Sequence, residues 1–458
     1  MNQFQEDTIV ALATPNGSGA IAVIRLSGPE AIVIANKVFR GKDLTQQASH
    51  TIHFGTINDG EVILDEVLVS LFVAPRSYTR ENAVEISCHG SSYIIESIIK
   101  LLIRNGARAA KPGEFTLRAF LNGQLDLSQA EAVADLIASN SKASQQVALQ
   151  QLRGGYSNQL QTLREQLVQF ASLVELELDF SEEDVEFANR TQLQQLILDI
   201  SKIISRLIQS FELGNAIKQG VNTVIAGRPN AGKSTLLNAL LNEERAIVSH
   251  IPGTTRDTIE EVLNINGINF RLIDTAGIRE ATDTIEQIGV QRTMEKISQS
   301  ALMLYVYDVN TLSPEELLND LQNLYKPGLP AIVVANKTDL LNEAFTAPDR
   351  LPEGVVVVAV SAKEKQHIDD LKQLIYQSVI KGNINSDETL VTNIRHLEAL
   401  QKTEQALIKV LQGLETQVTS DFLAIDIKQA LHYLGEITGA VTTDDLLDNI
   451  FSKFCIGK

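Results

Sequence analysis

The chain has 458 residues, with 39 lysines and arginines against 57 aspartates and glutamates, so its formal net charge is −18. That balance excludes a histone-like or generally nucleic-acid-coating protein, because such binding rests on clustered cations that neutralise phosphates. Its 44% hydrophobic residues and 11 prolines are those of a folded protein of roughly two to four domains, and its two cysteines, Cys88 and Cys455, give neither a disulfide framework nor a C-x-x-C zinc pair.

Residues 1–122 mix short β-branched runs (Ile9-Val10-Ala11, Ile21-Ala22-Val23-Ile24, Val67-Leu68-Val69) with glycine-rich turns and one helical stretch near Tyr93 to Arg104, which predicts a small α+β domain. Residues 123–217 turn helical. Leu160, Leu163, Leu167, Phe170 and Val174 place one apolar seam on a long helix, and the helical texture breaks at Gly214 and Gly220. Between 218 and 381 strands alternate with helices, the pattern of a parallel sheet covered on both faces. Residues 382–458 open on a polar joint and return to helix, with Leu397, Leu400, Leu407 and Leu411, then Leu423, Ile427, Ala430 and Leu434 on the apolar faces. Helical halves on either side of an α/β unit imply one helical domain interrupted by an insertion. Met1 to Asp7 lacks a basic stretch followed by an apolar one, and no run of roughly 18 apolar residues occurs, so the expected compartment is the reducing cytoplasm, with no membrane partner.

The strand-like Val221 to Ala226 runs into Gly227-Arg228-Pro229-Asn230-Ala231-Gly232-Lys233-Ser234 and then a helical stretch from Thr235 to Leu241. This is a P-loop in the context it needs. Its glycines let backbone N–H groups surround phosphate oxygens, Lys233 reaches the terminal phosphates, and the Ser234 hydroxyl suits magnesium. The apolar strand Phe270 to Ile273 ends in Asp274-Thr275-Ala276-Gly277, where a carboxylate can hold magnesium through water and a glycine N–H can meet the γ-phosphate. Ala331 to Ala335 ends in Asn336-Lys337-Thr338-Asp339, whose carboxylate can accept both N–H donors on one edge of guanine, an edge that adenine lacks. Ser361-Ala362-Lys363, after the strand Val355 to Val360, completes the guanine pocket. Motifs in this order, each at the C-terminal end of a strand, specify GTP, since ligands of open α/β sheets sit there.

Residue 278 is isoleucine, where Ras-like enzymes carry a glutamine that orients the attacking water. An aliphatic side chain has no such capacity, so another polar group is required. Glu286 is the nearest attractive carboxylate, although an exposed charge on a helix is the commoner state of such a residue. The loop Ser249-His250-Ile251-Pro252-Gly253-Thr254-Thr255-Arg256-Asp257 supplies a switch threonine for magnesium. The transferring phosphoryl group also needs a cation. Arg256 is one candidate by type; the other is a monovalent or group-two ion on the Asn230 amide oxygen and the carbonyls of Ser249 to Thr254, hard ligands that suit such ions.

Gly253-Thr254-Thr255-Arg256-Asp257, the P-loop with Asn230, the interrupted helical architecture and the terminal Cys455-Ile456-Gly457-Lys458 together resemble the MnmE (TrmE) family of tRNA modification GTPases, in the TrmE-Era-EngA-like group. The likeness continues through Asp7-Thr8-Ile9-Val10-Ala11, Ile24-Arg25-Leu26-Ser27-Gly28, Pro112-Gly113-Glu114-Phe115-Thr116 and Leu125 to Ala132, and so spans the chain. The resemblance implies a multidomain α/β and all-α fold: an N-terminal α+β domain like folate-binding folds, which dimerises, and a helical domain interrupted by a Ras-like P-loop GTPase domain. It implies a homodimer that joins a flavoprotein partner, the FAD-dependent MnmG (GidA), in a heterotetramer. Together they add a carboxymethylaminomethyl or aminomethyl group to carbon 5 of the wobble uridine of certain tRNAs.

By the same resemblance, potassium falls to Asn230, Ser249, Ile251 and Thr254, magnesium to Ser234 and Thr255, and the water-orienting role to Glu286. For a 5-formyl or methylene tetrahydrofolate the matching positions are Arg25, Glu85, Gln124 and Lys458. Glu85 is suited to the paired N–H donors of a pterin, and Arg25 and Lys458 to glutamate-tail carboxylates. Position 124 is usually basic in the family; Gln124 keeps donors without the charge. Cys455 reads either as a nucleophile, whose thiolate adds to uridine carbon 6 and activates carbon 5, or as a tail residue packed on the helical domain. Cys88 reads as a small buried apolar residue. On the GTPase motifs alone, a ribosome-assembly or signalling GTPase and a folate enzyme regulated by GTP stay open as well.

Overall fold

The computed structural model describes residues 7–179, 189–241, 260–274, 296–297, 300–326, 328–348, 350–352, 354–379, 389–416 and 419–457. The chain forms two compact units, one of Met1–Ile137, Gln150–Ser201 and Lys402–Lys458, the other of Ala138–Leu149 and Lys202–Gln401.

In the first unit, β1 (Ile9–Leu12), β2 (Gly19–Ser27), β3 (Phe39–Arg40), β4 (Thr51–Asp59), β5 (Val62–Phe72), β6 (Ala83–Gly90) and β7 (Arg108–Ala109) form a sheet in the order β3-β4-β5-β6-β2-β1-β7. All neighbours are antiparallel except β1 and β7. Period-two alternation sets the faces: His53 and Ile57 in β4 and Val67, Val69 and Leu71 in β5 are buried, while Ile52, Phe54 and Leu68 are exposed. The helices Ala31–Val38 and Ser92–Arg104 bury Ile34, Val38, Ile98 and Leu102 in the core with the sheet.

An ion cluster ties together segments far apart in sequence. Arg118, 2% exposed, donates to Asp7 Oδ1 at 2.6 Å and Glu114 Oε1 at 3.1 Å, and reaches Glu81 at 3.3 Å. Arg108 meets Glu114 at 2.5 Å and Asp7 at 2.6 Å. Burial works against ionising Glu114 and Asp7, yet the two guanidiniums outweigh it and hold both carboxyls below their usual range.

The helix Gly155–Asp179 buries Leu160, Leu163, Leu167 and Val174, with Phe170 half-buried, which is the expected seam. It packs on the helix Ser420–Thr438, which buries Leu423, Ile427, Ala430 and Leu434, and Glu175 pairs with Lys428 between them. The helix Arg190–Gln219 corrects one expectation: it runs unbroken through Gly214 and stops at Gly220, where φ is 75°. A Cβ at Gly214 would stand 2.2 Å from the Val391 carbonyl oxygen, so this glycine permits a close approach rather than ending the helix.

The second unit holds β8 (Val221–Ala226), β9 (Glu260–Ile265), β10 (Ile268–Asp274), β11 (Leu302–Asp308), β12 (Ala331–Asn336) and β13 (Val355–Ala359), in the order β13-β12-β11-β8-β10-β9. Five strands are parallel as expected; β9 adds an antiparallel edge through a hairpin to β10. β11 shows why both faces are covered. Leu304 and Val306 share a core with Leu236 and Leu371, whereas Met303, Tyr305 and Tyr307 share another with Leu317 and Leu321. Among the described residues no helix is long and apolar enough to cross a membrane.

Candidate functional site

β8 delivers Gly227 to the C-terminal edge of its sheet. There φ is 146°, and a Cβ would stand 2.0 Å from the Val306 carbonyl oxygen, so only glycine lets the loop lie against β11. Gly232, with φ 92°, is equally confined: a Cβ would meet Asn336 Nδ2 at 2.3 Å. Between them Asn230 turns through φ 61°, and the helix Lys233–Leu241 begins with Ser234 and Thr235 exposed in its first turn. A glycine-shaped turn opening onto a helix N-terminus presents backbone N–H groups and the positive end of the helix to a phosphate. Lys233 is 8% exposed, and its Nζ donates to the carbonyl oxygens of Gly227 and Arg228, each at 2.9 Å.

Arg228 ties this loop to the helix Pro314–Leu324. Its Nε and Nη2 donate to the two oxygens of Asp320 at 2.7 and 3.1 Å, and Nη1 donates to Glu316 at 2.9 Å. The buried Tyr305 hydroxyl donates to Asp320 at 2.5 Å, and burial together with that carboxylate pushes the phenol far up.

The segments after β12 and β13 are joined to the P-loop by a single buried amide. Asn336 Nδ2 donates to the Ala231 carbonyl at 2.9 Å, and its Oδ1 accepts from the Ala362 N–H at 3.0 Å, so β12 links the P-loop to the turn after β13. Lys337 adopts φ 67°, and its Nζ meets Asp308 at 2.8 Å. Burial resists ionisation of Asp308, but Lys337 and Asn310 prevail and keep its carboxyl below the usual range. Asp339 Oδ1 accepts from the buried Ser361 hydroxyl at 2.6 Å, which fixes the carboxylate beside Ala362; Lys363 is exposed next to it. Thus Asn230, Ala231, Gly232, Lys233, Ser234, Thr235, Asn336, Lys337, Asp339, Ser361, Ala362 and Lys363 all lie at the C-terminal ends of β8, β12 and β13. Ser249, His250, Ile251, Pro252, Gly253, Thr254, Thr255, Arg256, Thr275, Ala276, Gly277, Ile278 and Glu286 lie outside the described residues, as does the side chain of Asp274, whose backbone ends β10.

A second constellation lies in the other unit. Arg25 on β2 and Glu85 on β6 are register partners, and Glu85 Oε1 meets Arg25 Nε at 2.9 Å and Nη2 at 2.7 Å. The guanidinium lies 5.8 Å from the ring centroid of Tyr78 and 5.7 Å from that of Phe115, and Nη1 donates to the Gly457 carbonyl at 3.4 Å. Gly457 is buried with φ 91°, and a Cβ there would stand 2.1 Å from the Leu12 carbonyl oxygen. The Gly113 N–H donates to the Cys455 carbonyl at 3.3 Å. These contacts seat the tail on the N-terminal domain with Cys455 and Ile456 exposed, so the Cys455 thiol is not packed away. Cys88 is buried as expected, and burial, aided by Asp65, pushes its thiol up to about 11.

Tyr78 also lines a cavity of about 620 Å³, together with His50, Phe72, Arg76, Arg80 and Gln124 among others. Its hydroxyl is hydrogen-bonded to Thr116 Oγ1 at 2.9 Å, and burial raises its phenol above the ordinary value. Gln124 Oε1 accepts from Arg80 Nε at 3.0 Å, and Arg80 Nη1 donates to the Asn122 carbonyl at 3.1 Å. Arg25, Glu85 and Gln124 are therefore placed on the β2–β6 pair and on this cavity, while Lys458 lies outside the described residues. Sequence reading missed Arg76, Tyr78, Arg80 and Arg228. The one local cue, two arginines and a tyrosine in a turn between β5 and β6, carries no sign of which way they face.

The family described as "GTP-binding protein TrmE N-terminus" matches residues 8–124, and the family described as "MnmE helical domain" matches residues 127–455. The chain is 59% identical over 452 residues to the tRNA modification GTPase MnmE of Cytophaga hutchinsonii, covering 99% of this chain and 98% of that one. It is 55% identical to the protein of the same description from Flavobacterium psychrophilum, covering 99% of each. Among solved structures, the FeoB G-domain of Methanococcus jannaschii is 28% identical over 35% of this chain and 97% of its own, with a TM-score of 0.26.

Proposed function

The chain belongs to the MnmE family of tRNA modification GTPases, multidomain proteins with a TrmE N-terminal domain and an MnmE helical domain, and we propose that it is a potassium-activated member that alkylates the wobble uridine with a folate one-carbon unit. In this reading two copies pair through their N-terminal domains, where the exposed Ile52, Phe54 and Leu68 give an apolar sheet face, and join the flavoprotein MnmG (GidA) on tRNA. The product is a carboxymethylaminomethyl or aminomethyl group on carbon 5 of that uridine.

The residues divide the labour. Lys233 and the loop N–H groups bind the GTP phosphates, and Asp339, held by Ser361, selects guanine. Ser234, exposed in the first helical turn, would hold magnesium with Thr255. Asn230, exposed and without a side-chain hydrogen bond among the described residues, would hold potassium with Ser249, Ile251 and Thr254. Held there, that cation would supply the charge stabilisation an arginine finger gives elsewhere. Glu286 would orient the attacking water. Glu85 would accept from a pterin, with the Arg25 guanidinium fixing its carboxylate.

The observation that carries the one-carbon reading is the seat of the tail. Arg25 bonds both Glu85 and the carbonyl of Gly457, which follows the exposed Cys455 by two residues, and this supports the reading. A thiolate there would add to uridine carbon 6, and carbon 5 would bond the methylene carbon of methylene tetrahydrofolate; loss of the carbon 5 proton would expel tetrahydrofolate, and an amine would then add to the methylene as the thiolate leaves carbon 6. Cys455→Ser tests it. GTP turnover by the variant should stay near wild type, and tRNA from cells carrying it should lack the wobble modification by mass spectrometry. Retained modification would rule out the thiol.

A further inference from the structure

The cavity beside Tyr78 has an electrostatic character that the folate positions alone do not explain. Its walls include two guanidiniums, Arg76 and Arg80, and no carboxylate, alongside the aromatic faces of Phe72 and Tyr78 and the imidazole of His50. His50 meets Phe72 edge-on at 5.5 Å, so that wall is a braced aromatic surface. Arg25 does not supply this charge, because its guanidinium is spent on Glu85 at 2.7 Å.

Arg80 is held in a way that a solvated surface arginine does not require. Its backbone has φ 60°, a left-handed conformation that disfavours side chains other than glycine, asparagine or aspartate. Its guanidinium is fixed by the Gln124 amide oxygen and the Asn122 carbonyl, which engage Nε and Nη1 and leave Nη2 without a partner among the described residues. Arg76 has no side-chain partner among them either. A guanidinium pinned through Nε on one side and Nη1 on the other, with the Nη2 donors left over, is preorganised for an anion.

We propose that Arg80, oriented by Gln124 and seconded by Arg76, is the anchor for a carboxylate of the ligand in this cavity, against which Tyr78 and Phe72 pack its flat body. The proposal rests on the folate reading above and deepens it: the ligand's glutamate tail is gripped by Arg80, with Arg25 serving to fix Glu85. Because Gln124 and Arg80 touch, a guanidinium on either residue reaches the same wall.

The test measures binding by titration calorimetry on the full chain, with two probes: 5-formyltetrahydrofolate and 5-formyltetrahydropteroate, which lacks the glutamate. The variants are Arg80→Gly, suited to the positive φ and so expected to fold, and Arg80→Gly combined with Gln124→Arg. We expect Arg80→Gly to weaken the folate by about tenfold or more, the loss of a charge-assisted hydrogen bond, and to leave the pteroate unchanged. The double variant should recover most of the folate affinity. Unchanged folate binding by Arg80→Gly would overturn the anchor and leave the folate reading standing. An equal loss of both probes would make Arg80 a shaper of the cavity and overturn it too, as would a double variant that recovers nothing. Binding of neither probe by the wild-type chain would overturn the folate reading itself.

Discussion

The nucleotide site and the cavity of the N-terminal domain recruit their residues in opposite ways. The first draws its described groups from short runs of consecutive residues, 227–235, 336–339 and 361–363, each at the end of a parallel strand. The second gathers His50, Phe72, Tyr78, Arg80 and Gln124 from separate turns and strands, with Arg25, Glu85 and Gly457 adjoining it beside Tyr78. Where backbone N–H groups do the binding, as in the P-loop, consecutive residues suffice and the local conformation is the site. A pocket for a small organic ligand needs side chains converging from several directions, and no single segment can surround it. The two sites should therefore fail differently when altered.

The largest effect should come from the cation at the nucleotide site. With Ile278 where a catalytic glutamine would stand, and Asn230 offering an oxygen ligand, GTP turnover in potassium should exceed that in sodium by about 10³ at equal ionic strength. Asn230→Ala should abolish the difference. Equal rates in the two salts would shift the role to Arg256 and return the site to an all-protein design.

Base selection sharpens the comparison next. Asp339 is oriented by one hydroxyl, and if its carboxylate accepts from guanine as proposed, Asp339→Asn should weaken GTP by about a hundredfold and favour xanthosine triphosphate, whose edge exchanges a donor for an acceptor. Competition binding with the two nucleotides reads this out directly. Unchanged GTP affinity would remove Asp339 from the pocket.

On the other side of the comparison, the cluster of Asp7, Arg108, Glu114 and Arg118 holds together the segments that carry the second site. Glu114→Gln should cost about 2 kcal/mol of stability at neutral pH, measured by urea unfolding, without changing GTP affinity. The sign of the pH dependence follows from the lowered carboxyls of Asp7 and Glu114. Their contribution is full above the unfolded carboxylate values of about 4, and it is lost as pH falls through the lower folded values. The wild-type chain should therefore lose stability on acidification more steeply than Glu114→Gln. Parallel curves would mean that the cluster is not coupled to folding.

The sequence by itself determined the architecture class, the glycine-shaped loop after β8, the placement of Asn336 to Asp339 and Ser361 to Lys363 at strand ends, and the apolar seam of the helix Gly155–Asp179. All of these are local: periodicity of burial and a glycine at a fixed place in a turn are written in consecutive residues. Gly214 misled because a mid-helix glycine that ends a helix and one that admits a neighbouring carbonyl look alike until Val391 is in place. The antiparallel edge β9 and the helices Ala31–Val38 and Glu114–Leu121 likewise depended on what packs against them. Only the tertiary structure could decide that Arg228 clasps Asp320 under a buried tyrosine, that Arg25 is neutralised by Glu85, and that Arg80 shares a wall with Gln124. The physical reason is common to all three. A charged side chain reaches several ångströms in any direction, and its partner is chosen by where the folded backbone brings distant segments together, about which the neighbouring residues say nothing.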